Sequence, residues 1–371
     1  MRLHLYFATA FILVAAVCVP ATEVTVHLCA SAGSLMPDTT EGLQKAVTRL
    51  FSETTSIAPS EPLVACVVPH GPYGISGKIA AEAFKDLRKG QYKRVIVLGA
   101  SHADMAFEDC SIAAVDYYAT PLGLVPVDGE AIRKLTYSPL FGARAMRYSH
   151  MNKGFLSKSE RKPLHEYEHS IEIVLPFLQD RLGDFELIPI LVGNMTDGGG
   201  RYSEDRTKAI ARQLVKLVDD ETLLVVSTDF THFGNDFSFR PYNTDILNKV
   251  DQLDQTGLDI LSENDPEAFE NFIKKSRVPI CGLNPLRLLL HMMPDKARGT
   301  LLARTTSGRF YNDENRSVSY ASMNFYLYKQ PRPRTEPPAP KADVAGGKEA
   351  PIVKAPGKPM TITNIGGRSS E

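Results

Sequence analysis

Short β-branched, apolar runs alternate with longer amphipathic ones along most of the chain, and this alternation constrains the fold more than any other feature. LVACVVP (63–69), YKRVIVLGA (92–100), FELIPILVGN (185–194) and ETLLVVSTDF (221–230) read as strands. GKIAAEAFKDLRKG (77–90), HSIEIVLPFLQDRL (169–182) and DRTKAIARQLVKLVDD (205–220) read as helices. The strand-like runs are apolar at both even and odd positions, which suits a sheet covered by helices on each face. The expectation is one α/β domain over residues 22–329, a three-layer αβα sandwich around a mostly parallel or mixed central sheet.

The two ends of the 371-residue chain read differently. After Arg2 and His4 comes LYFATAFILVAAVCV (5–19), a run with the length and flanks of a secretory signal peptide, so residues 1–21 are expected to direct export to a periplasmic or secreted location. An uncleaved amino-terminal anchor is the alternative. Residues 330–371 are rich in Pro, Gly and Lys and poor in large apolar side chains, which predicts a disordered tail. Lys plus Arg (42) nearly balances Asp plus Glu (43), so no global field draws the chain to nucleic acid or to an anionic membrane. No membrane contact is expected beyond the amino-terminal segment.

Three of the nine histidines follow strand-like runs: His70 after LVACVVP, His102 after VIVLGAS and His232 after LLVVSTDFT. In open α/β sheets, ligands bind at the carboxyl ends of the strands. The loops there, PHGPYGISG and LGASH, are rich in Gly and small residues that let the backbone approach a ligand. Imidazole is the commonest metal ligand and titrates near neutrality, so the three offer a metal site, a base, or both. Asp229 precedes His232 by three positions and is expected to orient it. Cys281, in VPICGLNPLRLLL, is a candidate thiolate ligand, a small buried thiol or half of a disulfide. With Cys18 removed, Cys29, Cys66, Cys110 and Cys281 form an even set that allows two bridges.

HEYEH (165–169) satisfies the zinc-protease pattern His-Glu-x-x-His. That chemistry needs both histidines on one face of an established helix, and Pro163 and Leu164 place this pair at a helix start instead. Glu168 and Glu172 read as an amino-terminal helical turn and its i+4 neighbour, with His169 facing the cleft from the first turn.

Taken in order, PHGPYGISG, LGASH, VDYYATPLG, EHSIEIVLPFLQ, IPILVG, STDFTHFG, PICGLNPL and SVSYAS resemble the MEMO family, which includes the bacterial AmmeMemoRadiSam system protein B group and is structurally related to class III extradiol dioxygenases of the LigB type. The resemblance runs from about Leu63 to Leu327. It implies metal ligands at His70, His102 and Cys281, and an acid or base at His232 with Asp229 beside it. His169 would be a pocket donor. Iron(II) is the expected ion, with copper or zinc as alternatives, and the expected chemistry is redox or oxygen chemistry on a small molecule or peptide in the cleft. A non-catalytic binding role on the same fold is the other reading. Two departures bear on the pocket: the family's usual His-Ala-Gly-Tyr is here His70-Gly71-Pro72-Tyr73, and Ala103 stands where a second histidine is common.

Overall fold

The computed structural model describes residues 23–329 apart from 56–58, 105, 146–147, 150–153 and 156–161. The expected signal segment and the expected tail both lie outside the described residues. The main sheet is built around β1 (Leu63–Val68), β2 (Arg94–Ala100), β3 (Glu186–Val192), β4 (Thr222–Ser227) and β5 (Arg316–Leu327). Their spatial order is β5-β1-β4-β2-β3. β1, β4, β2 and β3 run parallel, while β5 is antiparallel to β1 and Cys110–Ile112 is antiparallel to β3. Ala297–Thr306 and His232–Gly234 both pair antiparallel with β5. The sheet is therefore mixed around a parallel centre.

Every residue of β4 is buried, as are the last six of β2 and of β3. Successive side chains of a strand point to opposite faces, so unbroken burial means that both faces are covered. One cover is α1 (Tyr73–Phe84), which packs on β1 and β5 beneath Thr40–Ser52 and Leu175–Leu182. The other is α2 (Leu283–Met292), which packs on β2 and β4 beneath Glu204–Val215 and Pro266–Ser276. Local chemistry sets the helix starts. Ser203 Oγ accepts from the Arg206 amide at 3.2 Å, and Asp265 caps Ala268 with Pro266 in the first turn.

Some boundaries differ from expectation. α1 begins at Tyr73 rather than Gly77, directly behind Pro72, whose fixed φ suits a helix entry. The helix expected from His169 is regular only over Leu175–Leu182, with Pro176 in its first turn, and Glu172–Val174 ahead of it is a 3-10 turn. β4 stops at Ser227, three residues short of Phe230, and His232 opens a separate short strand.

Helix Ile246–Ser262 buries Asp254, whose Oδ1 accepts from the Thr231 hydroxyl at 2.6 Å. Its Oδ2 and the Ser319 hydroxyl have no protein hydrogen-bond partner among the described residues, although both border one small cavity with Arg304. Burial pushes the Asp254 carboxyl up to about 6 from an ordinary 3.8, against the pull of the Thr231 hydroxyl and amide and the charge of Arg304. A raised folded-state value means that the protonated form's contribution is complete below 3.8 and is lost as pH rises through 6. Two units correspond to about 3 kcal/mol, an upper bound. Asp254→Asn keeps the acceptor for Thr231 and offers Ser319 an amide donor, so it is expected to match the parent near pH 4 and to be more stable by about 1–3 kcal/mol above pH 7. Urea unfolding at both pH values checks this, and an asparagine variant less stable at both would contradict it.

Candidate metal centre

β1, β4 and β2 lie side by side and run the same way, so residues two positions beyond their carboxyl ends converge. Those residues are His70, Asp229 and His102. His70 is fully buried, and its Nε2 lies 3.2 Å from Cys281 Sγ. The tautomer follows from the network. Ser227 Oγ donates its one proton to the Ser170 carbonyl, so it accepts, at 3.0 Å, from His70 Nδ1–H. The Nε2 lone pair is therefore the end turned toward the thiol.

His102 is held in the same sense. Glu168, fully buried, accepts the His102 amide at 2.5 Å through Oε2 and His102 Nδ1–H at 2.9 Å through Oε1. Glu168 Oε1 also accepts the amides of His169 (2.9 Å) and Ser170 (3.1 Å) and lies 3.4 Å from His169 Nδ1. A carboxylate behind an imidazole fixes its tautomer and raises its basicity as a ligand. Burial favours neutral His102, but Glu168 outweighs it and raises the ring's pKa well above the ordinary value. Burial likewise opposes ionisation of Glu168, yet His102 and His169 hold that carboxyl down to about 2. His70 moves the other way, well below its ordinary value, because it is buried beside His102, His169 and His232. A neutral imidazole is the form that ligates a metal.

Cys281 enters from the turn before α2, where Gly282 is the cap residue. The Asp229 amide donates to Sγ at 3.1 Å. A Cβ on Gly282 would lie 2.3 Å from Thr228 Cβ, so only glycine lets this turn close on the end of β4. Burial raises the thiol's pKa, opposed by the charge of His102. All four described cysteines are free, so the disulfide alternative for Cys281 is not realised. Burial also pushes Asp229 up to about 7, although the His70 amide donates to its Oδ1 at 2.9 Å.

The donor atoms of His70, His102 and His169 all lie within 4.8 Å of one another, as do those of His70, Asp229 and Cys281. The expected ligands His70, His102 and Cys281 are thus spread over two groups that share His70. His232 stands to one side. Its Nδ1–H donates to the Phe230 carbonyl at 2.8 Å, and its ring meets Phe237 edge-on at 5.0 Å. Asp229 therefore does not orient His232 as the sequence suggested: its carboxylate is turned to the His70 loop, and the backbone of Phe230 does the orienting. His169 also departs from expectation, lying in the irregular stretch between the 3-10 turns Leu164–Tyr167 and Glu172–Val174 rather than in a helical turn.

Glu168 and Glu172 are not a helical pair either. Glu172 is buried in a separate cage, accepting from His27, the Ala30 and Ser31 amides and the Ser31 hydroxyl. The first histidine of HEYEH faces away from the centre, with His165 Nδ1 2.6 Å from the Tyr118 hydroxyl and Nε2 3.1 Å from the Ser111 carbonyl. The departure at Gly71 has a counterpart: a Cβ there would lie 2.5 Å from the ring of Tyr320, which fills the space an alanine methyl would need.

The fold and these side chains define a mixed α/β protein with a candidate His/Cys metal-binding group at the carboxyl edge of its parallel strands. A family profile described as Memo-like protein matches residues 28–324, and the chain belongs to that family. It is 29% identical over 275 residues to Protein MEMO1 of Homo sapiens, and equally to that of Macaca fascicularis, covering 70% of this chain and 84% of each relative. The memo-1 homolog of Caenorhabditis elegans is 31% identical over 277 residues, covering 71% of this chain and 73% of the relative. A crystal structure of an uncharacterized Escherichia coli K12 protein superposes with a TM-score of 0.43 at 14% identity, covering 71% of this chain and 99% of that one.

Proposed function

We propose that the chain binds iron, in preference to copper or zinc, through His70, His102 and Cys281, and carries redox or oxygen chemistry on a small molecule held in the cleft. The supporting observation is that buried acceptors tie back Nδ1 of His70 and His102, leaving His70 Nε2 3.2 Å from the Cys281 thiol and the donor atoms of His70 and His102 within 4.8 Å of each other. Two imidazoles and a thiolate suit iron, copper or zinc and not magnesium or calcium, so the donor set fits the group. When bound, the ion supplies Lewis acidity and a one-electron couple at the cleft.

The chain's own residues do the rest. Glu168 keeps the His102 ring aligned and Ser227 does the same for His70. His232, with Nδ1–H fixed on the Phe230 carbonyl, would accept a proton from a bound molecule through Nε2 and return it. Burial lowers its pKa, which favours the neutral, accepting form. If the amino-terminal segment directs export, binding of a metal would also shield the Cys281 thiol from an oxidising compartment.

The test is to offer iron, copper or zinc anaerobically to the full chain, measure content by plasma mass spectrometry, and follow dioxygen consumption with a panel of small oxidisable substrates. Near-stoichiometric metal with metal-dependent consumption supports the reading. His232→Ala is expected to keep its metal while turnover falls roughly 10²–10⁴-fold. Ligand binding indifferent to metal, with no product formed, would instead favour a binding module.

A further inference from the structure

We propose that His169 is a fourth protein ligand of the same ion, completing a set of three imidazoles and one thiolate. This rests on the metal-binding reading above and changes what the centre can do.

The argument is geometric. Donor atoms of His70, His102 and His169 lie within 4.8 Å of one another, a grouping that does not need Cys281. His102 and His169 are stacked, with ring centroids 4.8 Å apart and an interplanar angle of 24°. Both Nδ1 atoms back onto the same oxygen, Glu168 Oε1, at 2.9 and 3.4 Å. Two nearly parallel rings set against one oxygen lie side by side, with their donor atoms within reach of His70. The His70 ring stands at right angles to both, 5.0 Å from His102 and 5.4 Å from His169, so it faces the two almost equally. Glu168 thus fixes the His169 amide and stands 3.4 Å behind its ring, as a carboxylate behind a ligating imidazole does. His232, by contrast, belongs to neither donor group and is steadied by a carbonyl and a phenyl ring.

The consequence concerns open positions. A six-coordinate ion on a facial set of three protein ligands has three places left, enough for a chelating diol and dioxygen together. With His169 bound, two remain. A substrate held through one atom would then suit the centre better than a chelating diol, which would have to compete with His169.

The test uses the full chain and zinc(II) alone, titrated against a chromophoric chelator, with X-ray absorption on the zinc-loaded protein. The parent is expected to show three imidazole ligands and one sulfur. His169→Ala and His169→Gln are expected to lose one imidazole and to weaken binding by more than the roughly 10–100-fold that loss of an outer hydrogen-bond partner costs. His232→Ala should leave both readouts unchanged. Two imidazoles in the parent, or a His169 variant within about twofold of it, overturns the inference while leaving the metal reading intact. A parent that takes up neither zinc(II) nor, offered anaerobically, iron(II) overturns both.

Discussion

Serine in place of Cys281 is expected to strip the centre of its metal while leaving the fold in place. The two consequences separate because the thiol's structural contacts are ones a hydroxyl can reproduce. The Asp229 amide that donates to Sγ at 3.1 Å can donate to Oγ instead, and the clasp beneath it, Gly282 N–H to Thr228 Oγ1 at 3.0 Å, does not involve the side chain. A neutral hydroxyl, however, is a poor substitute for the thiolate that soft and borderline ions select. Spread over four ligands, the binding free energy of a structural zinc comes to about 3 kcal/mol each, roughly a hundredfold in affinity. Metal content by plasma mass spectrometry and a chelator-competition titration measure the loss, and thermal unfolding without metal should show a midpoint close to the parent's. Full metal occupancy in Cys281→Ser would remove the thiol from the site.

Much of this geometry was legible in the chain. β1, β2, β3 and β4 stand out because strands covered on both faces have no polar side to blur their boundaries, as VIVLGA and TLLVVS illustrate. Since β1, β4 and β2 are adjacent and parallel, histidines just past two of their ends had to converge, and His70 and His102 do. What escaped lies in side-chain direction. Nothing in STDFTHFG indicates that Thr231 is tied to Asp254 on a distant helix, a tether that sits between Asp229 and His232 and accompanies their turning apart. The helix expected at EHSIEIVLPFLQ failed for a readable reason: Pro176, which favours a first helical turn, marks the true start near Leu175. A helix that starts there leaves residues 168–171 irregular, and Glu168 and Glu172, just ahead of an apolar run, then require buried partners.

Glu168 supplies the strongest test of the centre as a designed arrangement. Its carboxylate meets only donors: the His102 amide on Oε2, and His102 Nδ1–H with the His169 and Ser170 amides on Oε1. Glutamine has the same shape but puts an NH₂ where one of those oxygens was, so a buried donor must face a donor. Breaking a buried charged pair of this kind costs about 3–5 kcal/mol. The His102 ring also loses the charge that fixes its tautomer, which should weaken metal binding by roughly 10–100-fold. Glu172 provides the control, since it is a carboxylate four residues away in an equally buried cage of donors from His27, Ala30 and Ser31 that holds no group of the centre. Glu172→Gln is expected to destabilise the fold by a similar amount and to leave metal affinity within about twofold of the parent, because its cage holds the His27 ring and no ring of the centre. Denaturant unfolding and metal titration on both variants decide the matter. Equal metal loss in the two would mean that affinity follows general stability, whereas loss confined to Glu168→Gln ties it to the alignment of His102.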